Sequence, residues 1–130
     1  MIKIEKLQHQ IGRNQILKNI NIIIPDGGIT ALIGANGAGK STLLSLIARL
    51  NSIQQGNIWL DELNIAHTPS NTIAKRLAIL TQDNVIHSRI TIRDLLLFGR
   101  YPHHQGRVSE NDKQIVQEAL MRFELDKLQN

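Results

Sequence analysis

The chain has 130 residues, 42% of them apolar, which suffices for one domain with a sizeable core. It has no cysteine, which excludes disulfides and thiolate metal sites and leaves nothing that points to an oxidising compartment. The net charge of +4 is the balance of fifteen Lys and Arg, scattered from Lys3 to Lys127 with few aromatics between them, over eleven Asp and Glu; a nucleic-acid binder concentrates its positive charge on one face, so nucleic acid is not an expected partner.

The opening Met1-Ile2-Lys3-Ile4-Glu5-Lys6 is broken by charge and does not read as a signal peptide. Its alternation predicts a half-buried strand over 1–11. A second β-branched run, 16–24, ends at the turn Pro25-Asp26-Gly27-Gly28. Purely apolar runs such as Ile22-Ile23-Ile24 are far too short to cross a bilayer, so a soluble, cytoplasmic chain is expected. Ile29-Thr30-Ala31-Leu32-Ile33 reads as a short strand buried on both faces. From Lys40 the period becomes helical, with Leu43, Leu44, Ile47 and Leu50 recurring, and a helix is predicted over 40–50. Asn57–Asp61 reads as a strand with Ile58 and Leu60 on one face and Trp59 on the other; Leu77-Ala78-Ile79-Leu80 reads as a buried strand. Thr91 and Asp94 predict a capped helix that stops at Gly99. A loop over 100–107 follows, then a helix capped by Ser109 and Asp112 that buries Ile115, Val116, Ala119, Leu120 and Phe123. Strands alternate with helices after residue 29, so the predicted class is α/β with an antiparallel N-terminal part.

One segment carries chemistry. Gly34-Ala35-Asn36-Gly37-Ala38-Gly39-Lys40-Ser41 fits the phosphate-loop pattern G-x-x-x-x-G-K-[ST] at every fixed position, with a strand predicted before it and a helix after. Phosphate oxygens must approach the backbone closely, and Gly34, Gly37 and Gly39 remove the side chains that would prevent this. Successive N–H groups then form an anion nest at the positive end of the following helix. Lys40 is expected to reach the β- and γ-phosphates of ATP, and the Ser41 hydroxyl, followed by Thr42, to hold Mg²⁺.

The stretch from Pro25 to Leu44 resembles the ABC ATPase family, whose loops typically read G-x-N-G-A-G-K-S-T. Leu77-Ala78-Ile79-Leu80-Thr81-Gln82, followed by Ile90 to Arg100, is similar to that family's Q-loop (about 82–90) and the helix after it. The segment from Ile90 to His103, with its G-R-x-P at Gly99 to Pro102, looks most like the ATPases of bacterial iron–siderophore, haem and cobalamin importers. The resemblance covers the whole chain and implies the N-terminal half of a P-loop NTPase: an antiparallel β part, then parallel strand–helix units and a helical segment. It implies ATP and Mg²⁺ as cofactors and Gln82, with Ser41, as a group near the metal and the attacking water. It implies transmembrane permease subunits, a second ATPase subunit and, indirectly, a periplasmic or surface substrate-binding protein as partners, with 83–100 near the permease, at the cytoplasmic face of the membrane.

Two features depart from the family pattern. Most members stack adenine on an aromatic residue just after the first strand, where Ile11 stands in this sequence, with His9 near but not aligned. The signature LSGGQ, the apolar strand with the catalytic Glu, and the switch His do not follow Gln82; Asp126 to Asn130 resembles the lead-in to the signature. The resemblance therefore implies an ATPase in the whole protein and no turnover by these 130 residues alone. It also implies exposed edges, since in the family the strands matching 29–33 and 77–80 are separated by a strand from the second half. Two alternatives remain open at this point: a non-catalytic nucleotide-binding module, and a soluble ABC ATPase outside transport. His103 and His104, with no cysteine nearby, read as solvated loop histidines.

Overall fold

The computed structural model describes residues 1–81, 90–125 and 127. The segment around Gln82 expected to form a Q-loop, and all of the Asp126–Asn130 tail but Lys127, lie outside the described residues. The chain forms two compact units, Met1–Ile79 and Leu80–Asn130.

In the first unit, β1 (Ile2–Ile11), β2 (Asn14–Ile24), β3 (Gln55–Leu60) and β4 (Leu63–Asn64) form one antiparallel sheet in the order β2-β1-β3-β4. Simple alternation along β1 would put Ile4 and Leu7 on opposite faces. Both are buried, together with His9, because a bulge at Lys6 inserts one extra residue and resets the alternation. Lys6 takes a left-handed φ of 49° and donates its N–H to Asn21 Oδ1 at 2.9 Å. Gly56 on β3 is what lets the strands close over this bulge. A Cβ there would stand 2.5 Å from the Lys6 carbonyl oxygen and 2.6 Å from that of Glu5, at a φ of +90°.

The helix α1 (Lys40–Ile47) covers the sheet with Leu43, Leu46 and Ile47, which join Ile4, Leu7, Leu17, Ile58, Leu60, Ile65 and Ile73 in the core. It ends earlier than the periodicity predicts. Arg49 adopts a left-handed φ of 59° and its Nη1 donates to the Thr68 carbonyl at 2.7 Å, so Leu50 leaves the buried face, and Leu44 also points outward. A short helix not foreseen from the sequence, α2 (Ser70–Ala74), follows Pro69 and buries Ile73.

The expected strands at 29–33 and 77–80 are not formed. Neither pairs with another strand among the described residues, and the sheet is antiparallel throughout, with no parallel strand–helix ladder. Ile29 is 101% and Ile33 90% exposed, where burial on both faces was expected. A two-faced strand needs neighbours for its backbone groups and for both its surfaces; 29–33 has neither here, and Leu77 instead ends the turn after α2, its N–H on the Ile73 carbonyl at 2.9 Å and its side chain against the core.

In the second unit, α3 (Ile92–Gly99) starts at Thr91, whose Oγ1 accepts the Asp94 N–H at 3.1 Å and donates to Asp94 Oδ2 at 2.7 Å. The expected loop over 100–107 contains a short helix, α4 (Tyr101–His104), with Pro102 in its first turn, where its missing N–H costs nothing. The capping box of α5 (Glu110–Arg122) is complete: Ser109 Oγ accepts from Asp112 N, and Asp112 Oδ2 accepts from Ser109 N at 3.0 Å. Arg100 binds the other oxygen of the same buried carboxylate at 2.9 and 3.1 Å, tying the end of α3 to the start of α5. Val116 and Leu120 are buried as expected, whereas Phe123 is 70% exposed because the helix has reached its C-cap there.

Candidate functional site

The phosphate loop bridges β2 and α1. Its last residue, Gly39, caps α1 in a left-handed conformation (φ 88°) with no side chain to bond the first-turn amides. Those amides consequently have no partner one turn back, which is the condition for anion binding at a helix start. Gly39 also lies against β2: an added Cβ would meet Leu17 Cδ2 at 2.8 Å and Ile16 Cγ2 at 3.1 Å. The hairpin β1–β2 is thus the floor on which the loop rests, a contact that no loop motif encodes.

Ahead of Gly39, Gly37 has a φ of 79° and open space where a side chain would be. Among the described residues, Ala38 is the one residue of 34–39 whose N–H finds a protein acceptor, the Ala35 carbonyl at 3.2 Å. The remaining amides of Gly34, Ala35, Asn36, Gly37 and Gly39 are available to a ligand. Lys40 extends back over the loop, and its Nζ donates to the carbonyl oxygens of Gly34 and Ala35, both at 2.7 Å. A flexible ammonium is thereby held at the loop mouth, beside the glycine-lined space. Ser41 is exposed, its carbonyl accepting from Ser45 Oγ at 2.8 Å, and Thr42 is half-buried. The donor set fits a polyphosphate: backbone N–H groups, one cation and a free hydroxyl, with no side chain filling the cradle. Gly34 to Thr42 run from the exposed loop into the first turn of α1; Gln82 lies outside the described residues.

Ile11, at the end of β1, is 55% exposed. His9 is 8% exposed, stands opposite Leu17 in the hairpin, and its Nδ1 has no hydrogen-bond partner among the described residues. It is largely buried and lines a small cavity with Gln8, Gln10, Gln15, Gln54 and Gln55.

With this geometry the chain falls among the phosphate-loop nucleotide-binding proteins, and residues 17–130 match the family model described as ABC transporter. The chain belongs to that family. It is 40% identical over its whole length to the petrobactin import ATP-binding protein YclP of Bacillus subtilis (strain 168), covering 52% of that protein. It is 38% identical over 118 residues to the ferric enterobactin transport ATP-binding protein FepC of Escherichia coli (strain K12), covering 89% of this chain and 44% of that one. Among solved structures, an ATP-binding subunit of an ABC transporter superposes with a TM-score of 0.81 at 24% identity, over 98% of this chain and 52% of that one. The chain spans about half the length of the curated relatives it matches.

Proposed function

We propose that the chain is the nucleotide-binding portion of an ATPase subunit that energises import of an iron complex. The observation that carries this reading is the cradle at 34–42, with a left-handed Gly39 on β2 and the Lys40 ammonium at its mouth. When ATP·Mg²⁺ is bound, the metal supplies charge neutralisation between the β- and γ-phosphates. The protein's own contributions are distinct. The amides of 34–39 and of the first turn of α1 bind phosphate oxygens; Lys40 exchanges its two carbonyl partners for phosphate; the Ser41 hydroxyl offers a ligand to the metal, and Gln82 is proposed as a second. The iron-complex cargo rests on the import functions for which the relatives are named. Permease subunits, a second copy of the ATPase and a substrate-binding protein are the partners this reading requires, at the cytoplasmic face of the membrane. Among the described residues no helix is long and apolar enough to cross a membrane, in keeping with a peripheral subunit.

A second reading, a module that binds nucleotide without hydrolysing it, is favoured for these 130 residues taken alone by their span of about half the relatives' length. Calorimetric titration with ATP·Mg²⁺ tests the shared part of both readings. Lys40→Ala is expected to weaken binding roughly tenfold or more by removing a charge-assisted contact; equal affinity in the two chains would remove Lys40 from the site. A turnover assay bears on the second reading: the 130-residue chain is expected to release no phosphate above the level of its Lys40→Ala variant, and turnover lost in that variant would reject it.

A further inference from the structure

We propose that Asn36-Gly37 is a site of self-modification. In the empty phosphate loop Asn36 cyclises onto the Gly37 nitrogen and becomes aspartate or isoaspartate, and the loop then loses its affinity for polyphosphate. The covalent change stands on its own geometry; its effect on binding rests on the reading of 34–42 as a phosphate site.

The reaction needs a side-chain amide without a competing partner, a following backbone nitrogen free to approach it, and no side chain on that next residue to obstruct the approach. Asn36-Gly37 meets all three conditions. Asn36 is exposed, and among the described residues its side chain has no hydrogen-bond partner. The Gly37 N–H finds no protein acceptor there either. Gly37 brings no Cβ, and nothing lies within 4 Å of where one would stand. The pair forms the centre of a turn closed by the Ala38 N–H on the Ala35 carbonyl at 3.2 Å, so ring closure works against one hydrogen bond and no buried packing.

No other asparagine of the chain precedes a glycine. Asn19, Asn21, Asn57 and Asn64 lie in strands ahead of a β-branched isoleucine, which crowds the nitrogen, and Asn64 donates to Asn57 Oδ1 at 3.1 Å. Asn51, exposed and followed by Ser52, is the nearest competitor.

The step balances with water alone. The Gly37 nitrogen gives its proton to solvent base and attacks the Asn36 Cγ. The new N–C bond closes a five-membered succinimide as the Cγ–Nδ2 bond breaks and ammonia leaves. Water then opens the ring. Cleavage at Cγ restores the normal main chain with aspartate at 36; cleavage at the α-carbonyl leaves isoaspartate, with the main chain routed through Cγ. Nothing is oxidised or reduced.

Both products place a carboxylate in a loop whose donors serve anions. The Lys40 ammonium, held on the carbonyls of Gly34 and Ala35 at 2.7 Å, is close at hand, and the new charge competes with phosphate for it. Isoaspartate also lengthens the main chain and re-aims the amides that follow. A bound polyphosphate has the reverse effect: it accepts from the loop amides, Gly37 included, and withholds the nucleophile.

The test incubates the 130-residue chain in warm, mildly alkaline buffer, with and without saturating inorganic triphosphate and Mg²⁺. Peptide mapping by mass and retention reads aspartate and isoaspartate at each asparagine, and calorimetry reads triphosphate affinity. Conversion at Asn36 is expected to outpace that at every other asparagine and to slow when triphosphate is bound. The converted chain is expected to bind triphosphate roughly tenfold or more weakly, as is fresh Asn36→Asp. Asn36→Gln, which can close only a six-membered ring, should hold its own starting affinity through the same incubation. Conversion at Asn36 no faster than at Asn51, or conversion that triphosphate does not slow, would overturn the inference, as would a converted chain of undiminished affinity. A fresh chain that bound no triphosphate would reject the phosphate site and the effect on binding together, while the peptide map would still decide the covalent change.

Discussion

Gly39 and Leu17 meet so closely that a single methyl group added to the glycine would lie 2.8 Å from Leu17 Cδ2. The residue that caps α1 is thus seated on a core side chain of β2, and the shape of the loop depends on the packing of the sheet. Gly39→Ala combines this overlap with a left-handed φ that alanine adopts at a cost, and is expected to destabilise the chain by about 1–3 kcal/mol. It should also weaken ATP binding, since the first-turn amides would be re-aimed. Adding Leu17→Ala to the same chain should restore part of the ATP affinity, although Leu17→Ala alone costs about 2–4 kcal/mol of stability. Unaltered urea midpoints and ATP affinities for Gly39→Ala would show that the contact does not constrain the loop.

Gly56→Ala is expected to be the more damaging substitution. The obstacle at Gly56 is backbone: the carbonyl oxygens of Lys6 and Glu5 and the Leu7 Cα, all within 2.6 Å of the added carbon. Nothing there can turn aside as a leucine methyl can. A loss of about 3 kcal/mol or more is expected, enough to unfold a marginally stable chain. Thermal melts followed by circular dichroism check it; a melting temperature equal to that of the unaltered chain would mean that β3 closes on β1 without needing a glycine.

The second unit should weaken in acid for an identifiable reason. The Ser109 hydroxyl and N–H, with Arg100, hold the Asp112 carboxyl well below the usual aspartate range. A depressed folded-state pKa means that the stabilisation is fully present above the unfolded value, near 4, and is lost as pH falls below it. Asp112→Asn should therefore be less stable than the unaltered chain at pH 7, and the difference should narrow progressively below about pH 4. A difference that stayed constant from pH 7 to pH 2 would show that the carboxylate's charge is not what matters.

Apolar residues left outside any core predict association. Ile29 and Ile33 carry unpaired backbone and nearly full side-chain exposure, a combination that invites strand pairing between molecules. Sedimentation velocity on the 130-residue chain should show self-association that falls in an Ile29→Lys, Ile33→Glu double variant. A monodisperse monomer across a hundredfold range of concentration would contradict it.

What could be read from the sequence was what depends on neighbours in sequence. Thr91 with Asp94, and Ser109 with Asp112, declare helix starts because a cap and its amide lie three residues apart. The phosphate loop is legible for the same reason, as is the inward side of Ile58 and Leu60. The bulge at Lys6 was not legible, because its cause, Gly56, lies fifty residues away and only pairing brings the two together. Apolar composition alone made strands of 29–33 and 77–80, but a strand exists only with a partner, and composition does not name one. Phe123 fitted the helical period and is nonetheless exposed, because the period says which face a residue occupies and not where the helix ends. The resting partners of Lys40 were equally hidden, since the motif specifies what the lysine binds in the complex and not where it waits.

The pairing of β3 with β1 also sets an order of events. The β1–β2 hairpin joins neighbouring segments through a two-residue turn and can form in microseconds. Ile4 must find Ile58 across the whole of β2, the phosphate loop and α1, a long loop whose closure is slow relative to local steps. Docking of β3 is therefore the slow, long-range step of the first unit, and it follows the hairpin on which Gly39 rests. Variants at Gly56 should reveal this as slower refolding, with hairpin formation unaffected.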